Sequence, residues 1–205
     1  MIDFELGLRK PGCLTFLGEG IFVHDGAAWK HSRESLRRQF ARVQLNNLEI
    51  FEDYVEELVT SFASAKGTVD IQPAFFKFTL ATTTALLFGE PVTSMAEQDQ
   101  AKFARSFDYA SEVTAIRLRL AEFCWLYTPK KFLESCDVVK HTADHFVQKA
   151  LQHERMHGRE EALKCYPFIL ELMEDLNDPI RVRDQLVNVL LAGRDTTACT
   201  LSWTL

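Results

Sequence analysis

The amino-acid sequence predicts an all-α protein with six or seven helices. Apolar residues recur every three or four positions through most of the chain, which is the spacing of a helix with one buried face. Glycine and proline interrupt this pattern and mark where helices begin and end. Two short apolar runs near the start, at 14–17 and 21–23, are not followed by partner strands, so we interpret them as packed loop rather than sheet.

The composition fits one unit spanning 1–205. Of the 205 residues, 47% are hydrophobic and 25% are charged, which suffices for a hydrophobic core. The net charge of −6 argues against general nucleic-acid binding. The five cysteines have no zinc-like spacing, and their odd number favours a reducing compartment. We expect neither a signal peptide nor a membrane span, because no apolar run reaches roughly 18 residues.

Turn residues and apolar spacing place the individual elements. We predict exposed or packed loop at 1–26 and 158–164. An aromatic stretch at 123–127 is expected to link two amphipathic helices. The predicted helices are, in order, one beginning after Asp25 or Gly26, one from Asn46 or Asn47 to about 65, and then 73–88, 96–119, 130–157, 166–173 and a long last helix from about Pro179 or Arg181.

Two sets of polar residues on these helices each allow two interpretations. The threonines at 82–84 are candidates for chemistry, but bonding to their own helix backbone is the simpler expectation. His141, His145, His153 and His157 have a spacing that could bind a metal on one helical face. The simpler expectation is a solvated polar stripe, because no carboxylates or cysteines nearby complete a metal site.

The last helix carries an acid and hydroxyl groups inside an apolar segment. Gly193 costs about 1 kcal/mol relative to alanine in a helix interior, and a buried Asp195 or Thr196 needs a polar partner. The Thr196 hydroxyl can bond the carbonyl of Ala192, which predicts a widened turn with a gap at Gly193. The alternative is a core helix whose glycine packs against a neighbour and whose aspartate pairs with an arginine, Arg183 or Arg194. Helix physics alone favours that alternative.

An earlier helix presents Trp29 and Arg33 four residues apart, so both project from one face. An indole N–H beside a guanidinium can hold an anion. The alternative is a solvated basic helix with Trp29 packed inward.

Two strings of residues resemble motifs of one family. Ala192-Gly193-Arg194-Asp195-Thr196-Thr197 resembles the oxygen-activating helix of the cytochrome P450 monooxygenases, which reads (Ala/Gly)-Gly-x-(Asp/Glu)-Thr-(Thr/Ser). Trp29-Lys30-His31-Ser32-Arg33 resembles the helix of that family whose Trp and Arg hold a haem propionate. The motifs lie about 160 residues apart and in the family's order. The segments around Trp29 and Arg33 are similar to fungal members that hydroxylate alkanes and fatty acids.

The resemblance implies a function and a set of roles. It implies a monooxygenase with haem b as its iron cofactor, electrons from NADPH through a separate cytochrome P450 reductase, and a hydrophobic small molecule as substrate. Asp195 and Thr196 would relay protons, Ala192 and Gly193 would lie against the haem, and Trp29 and Arg33 would hold a propionate. The family also implies the cytoplasmic face of the endoplasmic reticulum membrane. The basic residues Lys30, Arg37, Arg38 and Arg42 would face the reductase or, equally, would be solvated.

The sequence also departs from the family. The Phe-x-x-Gly-x-Arg-x-Cys-x-Gly loop, whose thiolate binds the iron, and the Glu-x-x-Arg pair are not present, so no axial metal ligand is assigned. The family's membrane anchor is also missing from these residues. We therefore expect a central fragment that is inactive as a monooxygenase by itself. The alternative is a stand-alone helical binding or interaction module derived from a P450.

Overall fold

A computed structural model describes residues 5–43 and 49–205 of the chain. The described residues form nine α-helices and two short 3-10 helices, at Val92–Ser94 and Ala121–Leu126, and contain no β-strand. The α-helices are α1 (Arg9–Leu17), α2 (Gly26–Val43), α3 (Glu49–Ser64), α4 (Ile71–Phe88), α5 (Glu97–Leu120), α6 (Lys130–His157), α7 (Arg159–Cys165), α8 (Pro167–Leu176) and α9 (Pro179–Thr204). The all-α prediction is confirmed, while the predicted count of six or seven helices is too low. The cap expected at Asn46 or Asn47 and the side chain of Arg42 lie outside the described residues.

The loop predicted at 1–26 is wrong between residues 9 and 17, which form α1. Pro11 lies in the first turn of α1, where its missing N–H would have no partner within the helix. Phe16 is fully buried, and its ring meets that of Phe107 edge to face with centroids 5.4 Å apart. Tertiary packing therefore overrides the local turn signal of Pro11-Gly12.

The loop predicted at 158–164 is also wrong, because it forms most of α7. Glu160 and Glu161 occupy its first turn and Lys164 its last, which suits the helix dipole at both ends. Ala162 is fully buried against the core. A short helix with one buried alanine has too little apolar periodicity to be recognised from the sequence.

Helix α4 forms where it is predicted, but it begins at Ile71 and not at 73, and its caps explain where its ends lie. The Asp70 carboxylate accepts a hydrogen bond from the backbone N–H of Gln72, 3.2 Å away, and Gly89 ends the helix with a positive φ of 76°. Thr82 and Thr84 donate to the carbonyls four residues earlier at 2.9 and 2.7 Å, as expected for threonines that bond their own backbone.

Helix α9 lies at the centre of the fold and packs against α1, α4, α6 and α8. Leu186 and Leu190 of α9 are fully buried, as are large aromatic side chains of α4, α5 and α6. The rings of Phe88 and Phe146 stack with centroids 4.6 Å apart. The first half of α9 is therefore held on several sides by other helices.

The histidine stripe runs along α6. The rings of His153 and His157 stack 4.3 Å apart, and His157 Nδ1 lies 3.3 Å from the carbonyl of His153. Within the described residues, no three His, Cys, Asp or Glu side chains group together in a way that could hold a metal ion. None of the described helices has the length and apolarity needed to cross a membrane.

Candidate functional site

The first half of α9 uses buried polar side chains to hold the segment before α2. Asp184 Oδ2 accepts from the backbone N–H of Glu19 at 2.8 Å. Asn188 Oδ1 accepts from the N–H of Phe22 at 3.0 Å, while its Nδ2 donates to a carbonyl at 2.9 Å. These hydrogen bonds satisfy polar groups that would otherwise be buried without partners, and they fix the position of this segment along the axis of α9.

Two glycines allow that close approach. A Cβ at Gly18 would lie 2.2 Å from the Asp184 carboxylate, and a Cβ at Gly20 would lie 2.2 Å from the Asn188 amide. Gly18 also has a φ of +64°, a backbone conformation that residues other than glycine adopt only at a cost. The glycines predicted as turn punctuation thus have a second role in packing.

A further chain of hydrogen bonds ties α9 to α2. Gln185 Nε2 donates to Ser32 Oγ at 2.7 Å, and Ser32 Oγ lies 2.8 Å from His24 Nδ1. Burial lowers the pKa of His24, although Glu19, 3.2 Å from Nε2, acts in the opposite direction. Because Ser32 lies between Trp29 and Arg33 in sequence, this link sets the position of that pair relative to α9.

The polar turn of α9 remains helical. Thr196 Oγ1 donates to the Ala192 carbonyl at 2.6 Å, which confirms the predicted back-bond. The predicted widened turn is wrong, because α9 is α-helical throughout Pro179–Thr204. A Cβ at Gly193 would lie 3.0 Å from Thr83 Cγ2, so this glycine packs closely against α4. The Thr196 side chain faces outward and is exposed in the described structure.

Asp195 pairs with its neighbour in sequence. Arg194 Nη1 lies 3.0 Å from Asp195 Oδ1, while Arg183, the other suggested partner, bonds Asp184 at 2.6 Å. Burial raises the pKa of Asp195 and the charge of Asp108 adds to the rise, while Arg194 opposes both. The acid of the motif therefore holds a proton more tightly than a solvated aspartate does.

An apolar groove of about 420 Å³ opens beside this turn. Its size is in the range of small-molecule sites, and Ala192 and Gly193 lie on its wall. Asp195 and Thr196 are not among its lining residues, and neither are Trp29 and Arg33. The groove is lined by Phe40, Phe51, Phe78, Thr79, Thr82, Thr83, Leu86, Val189, Ala192, Gly193 and Thr197.

Trp29 and Arg33 come together as predicted from their spacing. The Arg33 Cζ lies 5.8 Å from the centroid of the Trp29 ring, and Trp29 is 38% exposed, not packed inward. Within the described residues Arg33 makes no ion pair with a carboxylate. Phe40 follows on the same face of α2, two turns beyond Arg33, and reaches the groove. Trp29, Arg33 and the end of the groove at Phe40 therefore lie along one face of α2.

These surroundings fit the distal and propionate sides of a haem. The groove offers apolar walls at Ala192 and Gly193, and the exposed Thr196 hydroxyl lies one turn further along α9. Arg33, which has no carboxylate partner among the described residues, suits the carboxylate of a propionate. Two of the described thiols, those of Cys13 and Cys136, are a poorer fit to the iron. Burial raises the pKa of Cys136 to about 12 and also raises that of Cys13, so both remain protonated at neutral pH.

Several positioning residues were not recognised from the sequence. Asp184, Gln185 and Asn188 are fully or almost fully buried polar residues on one face of an apolar helix, a signal that points to specific partners. Arg194 Nη2 lies 2.6 Å from Asp108 Oδ1, which joins residues of two different helices. No local sequence pattern predicts this contact.

Comparison with known proteins agrees with these motifs. The family model described as "Cytochrome P450" matches residues 9–205. A cytochrome P450 of Arthroderma benhamiae is 41% identical over 93% of this chain and 39% of its own length. Cytochrome P450 52A5 of Candida maltosa and cytochrome P450 52A1 of Candida tropicalis are 39% and 38% identical over 98% of this chain and 40% and 39% of their own lengths. The chain thus spans about two-fifths of the length of these curated relatives, and it belongs to the cytochrome P450 family.

Proposed function

We propose that the protein to which these residues belong is a haem monooxygenase that hydroxylates a hydrophobic substrate such as an alkane or a fatty acid. The observation that carries the proposal is the polar turn of α9, with an exposed Thr196 and an Asp195 of raised pKa, next to residues that line an apolar groove. One atom of O₂ enters a C–H bond, and the other leaves as water with two protons and two electrons. NADPH supplies the electrons through a separate cytochrome P450 reductase.

The first role of this chain is to hold and shape the cofactor site. When bound, haem iron supplies the binding and reductive activation of O₂. Ala192 and Gly193 present little side-chain bulk to the groove, so a flat group can approach the backbone of α9. The guanidinium of Arg33 and the indole N–H of Trp29, on one exposed face of α2, would hold a propionate through charge-assisted hydrogen bonds.

The second role is proton delivery. The Thr196 hydroxyl donates a hydrogen bond to the Ala192 carbonyl. The lone pairs of the Thr196 oxygen therefore remain free to accept a hydrogen bond from a water molecule. Asp195 is 31% exposed at its side chain and has a raised pKa, so it can both take a proton from solvent and release it through water. The two residues are adjacent in sequence on α9, and Thr196 follows the groove-lining residues Ala192 and Gly193 by about one turn.

The basic face of α2 is the proposed reductase contact, at the cytoplasmic face of the endoplasmic reticulum membrane. Lys30 and Arg37 are exposed, while Arg38 is partly neutralised by Asp175, 2.8 Å away. Electrostatic steering by such a patch speeds encounter with an acidic partner and weakens with added salt.

The test is turnover with ¹⁸O₂. The complete gene product that contains these residues is combined with cytochrome P450 reductase, NADPH and either dodecane or lauric acid. We expect one ¹⁸O atom per hydroxylated product molecule. A haem-loaded gene product that consumes NADPH without forming an ¹⁸O-labelled product from either substrate would overturn the proposal.

The 205-residue chain, loaded with haem, forms a second arm of the same assay. We expect it to form no product, because none of its five cysteines lies in the Phe-x-x-Gly-x-Arg-x-Cys-x-Gly loop that supplies the family's thiolate. The buried thiols of Cys13 and Cys136 also keep their protons. Hydroxylation by the 205 residues alone would show this expectation to be wrong.

A further inference from the structure

Arg194 is a buried cation at the junction of α4, α5 and α9. Its side chain is 4% exposed. The rings of Phe76 and Phe107 lie 5.0 and 5.1 Å from its Cζ, so aromatic faces bound the guanidinium. A buried guanidinium is stable only when it is paired and hydrogen-bonded, and this packing leaves it little freedom to reorient.

Two carboxylates share this one guanidinium. Nη2 lies 2.6 Å from Oδ1 of Asp108 on α5, and Nη1 lies 3.0 Å from Oδ1 of Asp195 on α9. The Asp108 side chain is 56% exposed and that of Asp195 is 31% exposed. When both carboxylates are ionised, the group of three carries one net negative charge.

Other charged side chains border the same junction. Lys77 of α4 lies in the adjoining cavity, and its Nζ is 3.1 Å from Glu57 of α3. Glu97, in the first turn of α5, lines the same cavity. Lys77 thus has a carboxylate of its own, and Arg194 is the cation in contact with both aspartates.

We propose that Asp108 is a positioning residue for Asp195. It holds one edge of the Arg194 guanidinium, and it thereby fixes where the other edge holds the Asp195 carboxyl and how strongly. The inference rests on the proposed function only for the use that is made of the proton on Asp195.

The charges give this arrangement a direction. Because one guanidinium can neutralise one carboxylate, the negative charge of Asp108 opposes ionisation of Asp195. Burial is the largest cause of the raised pKa of Asp195, Asp108 acts in the same direction, and Arg194 acts against them. Removing the charge of Asp108 frees Arg194 to serve Asp195 alone, so Asp195 should then lose its proton at a lower pH.

The test is the titration of the Asp195 carboxyl by ¹³C NMR in the full chain labelled at aspartate. The signal is assigned by its loss in Asp195→Asn. Asp108→Asn is expected to lower the titration midpoint of Asp195 by about one pH unit. Asp108→Glu keeps the charge and should restore the midpoint toward the original value.

The matched control is Glu112→Gln, which removes one negative charge from an exposed position one turn further along α5. It should leave the Asp195 midpoint in place, because Glu112 does not touch Arg194. Equal midpoints in Asp108→Asn and Glu112→Gln would overturn the proposal.

The unmodified chain provides a second measurement that does not depend on any variant folding. If the two carboxyls are coupled through Arg194, the Asp195 signal titrates in two steps. A single step would overturn the coupling. Both readouts are independent of haem and of turnover, so failure of this proposal and failure of the proposed function are distinguishable.

Discussion

Gly18 and Asp184 show how single residues decide the geometry around α9. The Asp184 carboxylate is almost fully buried and bonds both the Glu19 N–H and Arg183, so it cannot move aside for a larger neighbour. The glycine therefore determines whether the segment before α2 can lie against α9. That segment in turn carries the link through His24 and Ser32 to the face of α2.

Replacing Gly18 with alanine is expected to destabilise the chain by about 2–3 kcal/mol, because the new Cβ overlaps the fixed Asp184 carboxylate. Gly7→Ala is the matched control: Gly7 also has a positive φ, of 54°, but nothing lies within 4 Å of its Cβ position. Urea unfolding of both variants measures the difference. Equal losses of stability would mean that backbone strain alone, and not the contact with Asp184, explains the cost of replacing Gly18.

At the scale of elements, Arg117 of α5 organises the link between α5 and α6. Arg117 is 5% exposed, and Nη1 donates to the carbonyls of Cys124 and Tyr127, each at 3.0 Å, and to the Thr128 hydroxyl. Its guanidinium lies over the Phe132 ring, 5.4 Å from the centroid. Within the described residues no carboxylate pairs with Arg117, so backbone carbonyls and the Thr128 hydroxyl accept its hydrogen bonds.

Arg117→Ala is expected to cost about 3 kcal/mol of stability, because it leaves several buried carbonyls without donors. Amide hydrogen exchange should also become faster across 121–128, where those carbonyls lie. Arg119→Ala, at an exposed position two residues along the same helix, is the control. It should change the stability by no more than about 0.5 kcal/mol and leave amide exchange across 121–128 unchanged. Unchanged exchange in 121–128 would contradict the role assigned to Arg117.

Elements with strong local signals were predictable, while their partners across the fold were not. The bounds of α6 and the cap of α9 at Asp178 follow from proline, aspartate and apolar spacing. Helix α1 was missed because burial of Phe16 outweighs the Pro-Gly turn signal. Asp195 and Thr196 were recognised from their motif, but Asp108 lies on another helix and has no local pattern that points to α9.

At the scale of the whole molecule, α9 joins the two motifs that are far apart in sequence. Its buried first half binds the segment before α2, which positions Trp29 and Arg33. Its second half carries Asp195 and Thr196 beside the groove between α2, α3 and α4. One helix therefore sets the distance between the Trp29–Arg33 face, the proposed propionate contact, and the polar turn at which we propose that Thr196 delivers protons.

Thr196→Ala, in the complete haem-containing gene product, tests the proposed proton delivery most directly. The measurement is the amount of hydroxylated product formed per NADPH consumed, with Thr200→Ala as the control. Thr200 is also exposed and donates to the carbonyl four residues earlier, at 2.8 Å compared with 2.6 Å for Thr196. Losing the proton relay should lower this yield by about 100-fold in Thr196→Ala, with electrons diverted to hydrogen peroxide, and leave Thr200→Ala close to the unmodified protein. An unchanged yield in Thr196→Ala, or an equal loss in both variants, would contradict the account.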